Sequence, residues 1–120
     1  MKSKSFRESL KHALSGLKYC VLNERNFKYH IAAAVMALAL AILLGGGVTK
    51  LLFIVFAIFF VLCAEIFNTA VEAFCDMITE DYNKFAKIAK DCSAAAVLIS
   101  AINAVVVGLI VFLPEIFIII

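Results

Sequence analysis

The four cysteines, Cys20, Cys63, Cys75 and Cys92, form no C-x-x-C pair, and no histidine stands at metal-ligand spacing from them. A disulfide scaffold and a zinc site are therefore not expected, and the cysteines read as small apolar packing residues. No G-x-x-x-x-G-K-[ST] run occurs, and the short Gly45-Gly46-Gly47 triplet does not replace it, so a P-loop is excluded. Nor is the start expected to be a secretory signal, because the basic stretch there is too long and no small-residue cleavage site follows the apolar run. Charge is sparse at 17% of residues, and none interrupts Leu51 to Ala64 or Cys92 to Leu113.

What is abundant is apolar surface. Of 120 residues 65% are hydrophobic, with a mean hydropathy of +1.06, against roughly 45–50% in soluble domains. One domain of this size cannot hide so much Leu, Ile, Val, Ala and Phe inside itself, so the surplus faces lipid or partner chains. The sequence predicts an all-α membrane protein of one domain, with no nucleic-acid partner.

Four stretches follow. Residues 1–27 carry most of the basic groups, Lys2, Lys4, Arg7, Lys11, Lys18 and Arg25, with Lys28 directly after them. On a helix Phe6, Leu10, Leu14, Leu17 and Val21 share a stripe about 80° wide, beside a basic one, the pattern of an amphipathic helix lying in the membrane interface. A plain helix packed on the bundle is the alternative. Apolar residues then predict membrane spans at 29–48, 49–78 and 91–113, the second extending beyond the membrane, with a polar loop at 79–90 and a stop at Pro114. Ten of the eleven Lys and Arg lie in residues 1–28 and 76–91, and Lys50 alone lies in the glycine turn. This bias puts the N-terminus and the 79–90 loop in the cytoplasm and the C-terminus outside.

The chemistry is concentrated in the second span. Glu65, Asn68, Glu72 and Asp76 stand three, four and four residues apart, which places them in one sector of about 80° on a helix. A carboxylate within hydrocarbon costs on the order of 2.5–3.5 kcal/mol, so the stripe calls for a compensating metal ion, proton path or neighbouring cation. Protonation of Glu65 against another helix, and pairing of Asp76 with Lys84 or Lys87, are the structural alternatives. Continuing the first helix to Glu24 puts that carboxylate on the apolar face, where it would meet Glu72 if that face packs on the lower half of the second span; a capping or solvated Glu24 beside Arg25 is the alternative. A hard divalent cation would remove their repulsion, and Mg²⁺ takes one or two carboxylates together with phosphate oxygens and water. Lys90 and Asp91, preceded by Lys84 and Lys87, offer groups for phosphates and for an ammonium or ribose.

The run Glu65-Ile66-Phe67-Asn68-Thr69-Ala70-Val71-Glu72, with Asp76 and then Ala89-Lys90-Asp91 before Ala94-Ala95-Ala96-Val97, resembles the signature of the small bacterial diacylglycerol kinase / undecaprenol kinase family. Glu24-Arg25-Asn26-Phe27 with His30 is similar to the Gram-positive, undecaprenol-phosphorylating branch. The resemblance implies a homotrimer of three-span subunits in the bacterial cytoplasmic membrane that uses Mg-ATP to phosphorylate a lipid alcohol, undecaprenol or else diacylglycerol. It implies Glu65 as the base, Glu24 and Glu72 as metal ligands, and Asn68, Lys90 and Asp91 at the nucleotide. Asp81, Tyr82 and Asn83 would add nucleotide contacts, and His12 stands where the diacylglycerol branch has an aromatic residue. The rival class is a non-enzymatic ion or proton pathway or assembly subunit. A pathway would need polar groups through the full membrane depth, whereas Leu51 to Ala64 has none.

Overall fold

The computed structural model describes residues 5–120, and Lys2 and Lys4 of the basic segment lie outside the described residues. The chain is four helices: α1 (Phe6–Asn23), α2 (Arg25–Leu44), α3 (Gly47–Ile78) and α4 (Lys84–Ile119), with no strand among the described residues. Three of them, α2, α3 and α4, are long and apolar enough to cross a membrane. At 1.5 Å per residue the 32 residues of α3 reach about 48 Å, beyond a hydrocarbon core of about 30 Å, so at least one end of α3 leaves the apolar layer.

Local chemistry sets the boundaries. Ser5 caps α1 by accepting from the Glu8 amide at 3.3 Å. The helix does not continue through Glu24: this residue is extended (φ −102°, ψ 111°), closing α1 and opening α2, so one residue makes the whole bend. The α2–α3 turn uses Gly45, Gly46 and Gly47, all at positive φ, where side chains are disfavoured. At Gly46 (φ 103°) an added Cβ would also fall 2.9 Å from Lys50 Cδ. Asn83 accepts from the Phe85 and Ala86 amides at 3.0 and 3.1 Å and thereby starts α4 at Lys84, seven residues ahead of the expected span.

Pro114 does not end α4, contrary to the sequence-based expectation; the helix runs on to Ile119. Proline removes one amide donor and crowds the preceding turn, but here the loss falls in the last turns, and the next residue, Glu115, is tied to α3 by an ion pair with Lys50.

In the bundle α3 lies between α2 and α4 and packs on both, while α2 and α4 barely touch. Its buried face is Ile54, Ala57, Val61 and Ala64, spaced so that they fall on one side of the helix. Most large apolar residues of the spans remain exposed, Phe56, Phe59, Phe67 and Ile110 among them, as expected of surfaces turned toward hydrocarbon or another chain. On α1 the stripe is also outward: Phe6, Leu10, Leu14 and Leu17 are exposed, and only Cys20 is buried.

Candidate active site

The buried face of α3 changes character at Glu65. Ile54, Ala57 and Val61 occupy the same angular sector as Glu65, Asn68 and Glu72, so the carboxylates continue the bundle-facing side of the helix. Glu65 is 4% exposed. Its partner is His30 of α2, whose Nε2 lies 3.0 Å from Glu65 Oε1. With the carboxylate ionised, Nε2–H donates this bond. Nothing in the sequence pattern pairs these two residues across 35 positions.

One turn toward Ile78 a second chain of bonds begins. Ser93 Oγ on α4 lies 2.8 Å from Asn68 Oδ1 and 3.0 Å from the Lys90 carbonyl, and its single proton serves one of them. Asn68 Nδ2 donates to Glu72 Oε1 at 3.3 Å. Asn68 therefore links α4 to the carboxylate stripe, and Ser93 orients Asn68 when it donates to the amide oxygen. The sequence reading passed over Ser93, although it stands three residues after Lys90 on the same side of the helix. Thr69 Oγ1, one turn from Glu65, is buried without a partner among the described residues.

Glu24 is half-buried at the α1–α2 bend. Burial, and then the charges of Glu72 and Glu65, push its carboxyl above the ordinary value of 4.5. The charges of Glu72 and Glu65 are thus felt at Glu24. No lysine or arginine among the described residues forms an ion pair with Glu24 or Glu72. The described residues contain no group of three or more His, Cys, Asp or Glu able to hold a metal by themselves. A pair of carboxylates lacking a cation fits Mg²⁺ when phosphate and water complete its shell.

The expected nucleotide groups are distributed less tightly. Lys90 Nζ meets Asp76 Oδ1 at 2.7 Å and Lys87 Nζ meets Asp91 Oδ2 at 2.6 Å, both at the surface. Asp76 thus pairs with Lys90 and with neither Lys84 nor Lys87. Asp81 and Tyr82 are exposed in the α3–α4 turn, where the Asp81 amide donates to Thr79 Oγ1 at 3.1 Å. The Asn83 side chain is engaged as the helix cap. His12 is exposed on α1 and makes no hydrogen bond or ion pair among the described residues.

A cleft of about 210 Å³ opens between α2, α3 and α4, lined by small apolar residues such as Ala33, Ala37, Ala57 and Gly108, with His30 as its one polar member.

A family model for prokaryotic diacylglycerol kinase matches residues 11–112. The chain is 37% identical over 115 residues to the undecaprenol kinase of Bacillus subtilis (strain 168), covering 92% of this chain and 89% of that one. It is 36% identical over 107 residues to a diacylglycerol kinase of Synechocystis sp. (strain ATCC 27184 / PCC 6803 / Kazusa), covering 88% of this chain and 61% of the relative. With the diacylglycerol kinase of Escherichia coli (strain K12) it shares 32% over 95 residues, 79% of this chain and 78% of that one.

Proposed function

Because the chain belongs to the prokaryotic diacylglycerol kinase family, we propose that it transfers the γ-phosphoryl group of ATP to the hydroxyl of a membrane lipid alcohol, undecaprenol in first place. The observation that carries this reading is Glu65, a buried carboxylate on the bundle face of a membrane helix, at the head of a stripe leading through Asn68 and Glu72. Phosphoryl transfer asks for positioning and charge neutralisation more than for covalent chemistry. Glu65 takes the proton of the acceptor hydroxyl as the oxygen attacks phosphorus. It lies about 10 Å along the helix axis from Glu72, separating the acceptor from the polyphosphate end of the site.

Glu24 and Glu72 would hold Mg²⁺, which when bound neutralises phosphate charge. Asn68 fixes the Glu72 carboxylate through its amide. Lys90 and Asp91 flank the nucleotide, with Asp81, Tyr82, Asn83 and His12 as further contacts from the α3–α4 turn and α1. In this reading Lys90 and Asp91 exchange their present partners, Asp76 and Lys87, for the nucleotide.

The chain sits in the bacterial cytoplasmic membrane with its N-terminus and α3–α4 turn in the cytoplasm and its C-terminus outside, as the basic residues favour. The exposed Phe6-to-Leu17 stripe makes α1 an interfacial helix. The assembly is a homotrimer. Supporting association is Asn103, half-buried within the apolar length of α4, whose amide has no hydrogen-bond partner among the described residues. In hydrocarbon such an amide is satisfied by a neighbouring helix.

Undecaprenol is favoured over diacylglycerol by the cleft, which has a single polar lining residue and no set of donors to read ester carbonyls. The test is transfer of labelled phosphate from ATP, in the presence of Mg²⁺, to each lipid at equal mole fraction in mixed micelles. Higher kcat/KM for the polyprenol supports the assignment, a preference for diacylglycerol reverses the substrate, and no lipid-dependent turnover of ATP removes the kinase reading.

A further inference from the structure

We propose that His30 is the positioning residue of Glu65: its imidazole donates from Nε2 to Oε1 and fixes the rotamer in which the carboxylate meets the acceptor hydroxyl. This rests on the reading of Glu65 as the base.

Glu65 of α3 is buried where it meets His30 of α2, and a buried ionised carboxylate is held only where hydrogen bonds replace its water. Among the described residues His30 is its sole hydrogen-bond partner, at 3.0 Å, and no lysine or arginine pairs with it. The bond reaches from one helix to another, so it fixes side-chain direction as well as helix register. Among the described residues only Oε1 is engaged, which leaves Oε2 for the substrate proton.

The type of donor is informative. A lysine or arginine in this place would lower the basicity of the carboxylate through its full charge. An imidazole carries no obligatory charge, so it can supply direction at a smaller electrostatic cost to basicity, the condition a general base requires. The ring is also well placed for the acceptor. His30 is the polar residue of the apolar cleft and its side chain keeps 27% of its surface exposed, against 5% for Glu65. A cleft of about 210 Å³ exceeds the roughly 150 Å³ apolar cavity known to take a benzene ring, so the hydrocarbon next to a lipid hydroxyl fits beside His30.

The charged groups facing the pair are few. Glu24 from the α1–α2 bend and Glu72 from α3 belong to the same acidic neighbourhood. The cleft residues contributed by α4 carry no charge.

Three variants in the full-length protein in mixed micelles test the proposal. His30→Leu removes the donor and is expected to lower kcat roughly ten- to a hundredfold, the range of a hydrogen bond to a charged group, with KM for Mg-ATP changed less than twofold. His30→Gln restores an N–H donor of similar reach and is expected to recover most of the lost kcat. Unchanged kcat in His30→Leu, or His30→Gln as impaired as His30→Leu, overturns the positioning role. Should His30→Leu fail to fold, ¹⁵N-histidine NMR decides, since the chain has only two histidines. Glu65→Gln should shift the His30 ring nitrogens and leave those of His12 in place, and the absence of such a shift overturns the pairing. Glu65→Gln separates the two readings by its own turnover. A normal rate in that variant ends the base assignment, whereas its loss together with a normal His30→Leu rate ends the positioning role alone.

Discussion

The two ends of the bundle handle carboxylates in opposite ways. At the glycine-turn end the single acid, Glu115, is matched by the single cation, Lys50, across α3 and α4. At the α1 end Glu65 has only an imidazole, and Glu24 and Glu72 have no cation among the described residues. The first arrangement is electrically closed within one chain. The second is electrically open, and under the proposed function the difference separates a structural ion pair from a site that would take polyphosphate and metal.

The sharpest way to break this comparison is at Glu65. Glu65→Gln keeps size and hydrogen bonding but cannot take a proton. Turnover should fall at least roughly a hundredfold, the low end of a general-base contribution, while Mg-ATP binding measured by calorimetry persists. Near-normal turnover would make the α1 end as structural as the other.

Glu24 and Glu72 come next. Glu72→Gln and Glu24→Gln should each raise the Mg²⁺ concentration for half-maximal rate about tenfold or more, with the protein still folded. The raised Glu24 pKa gives this a pH signature with a defined sign. Because the folded chain holds the proton at higher pH than the unfolded chain does, Glu24 favours folding below about 4.5, and that contribution is lost as pH rises through the folded-state value. Thermal unfolding without Mg²⁺ should therefore show stability declining with pH above about 4.5, less steeply in Glu24→Gln, and Mg²⁺ should oppose the decline. An identical pH slope in both proteins would remove the mutual repulsion on which the open site depends.

Much of this was legible before the coordinates, and the reasons differ by feature. The three apolar helices follow from the long apolar runs, since a helix satisfies every backbone group within one such run. The face shared by Glu65, Asn68 and Glu72 follows from spacing alone. Positions set by caps were harder. The start of α4 at Lys84 depends on Asn83, whose helix-capping signal was passed over in favour of a ligand role, and the bend at Glu24 has neither glycine nor proline to mark it. Pro114 misled because a rule for helix interiors was applied to a last turn. The His30–Glu65 and Ser93–Asn68 bonds join different helices, and periodicity along one helix carries no information about which residue of another it meets.

A smaller effect is expected inside the apolar length. Asn103→Leu removes the unpartnered amide of α4, and the variant should dissociate at lower detergent-to-protein ratio than the parent, with kcat per assembled protein unchanged within about twofold. Interhelical hydrogen bonds in membranes average about 0.6 kcal/mol, a shift of roughly threefold. Crosslinking at graded dilution would read it, and identical profiles would show that Asn103 faces no second copy.

The smallest effect belongs to the closed end, and it is the control for the rest. Lys50 keeps 36% of its side-chain surface and Glu115 20%, so water screens the pair and its worth falls in the range of about 0–1 kcal/mol typical of surface ion pairs. Lys50→Met removes the charge while keeping a long stem against Gly46, whose tight turn brings it close to the Lys50 side chain. The unfolding midpoint should drop by no more than about 4–6 °C, since about 1 kcal/mol shifts 60–100-residue domains by roughly 4–8 °C and 150–250-residue ones by roughly 2–4 °C. Glu115→Gln should behave alike, and the double variant should be no worse than the sum of the two if the pair is the only link between them. Turnover, the Mg²⁺ requirement and the pH profile should all match the parent. A Lys50→Met protein that stays folded yet loses catalysis would show that the two ends are coupled along α3, and the contrast between a closed and an open end would then describe one device rather than two.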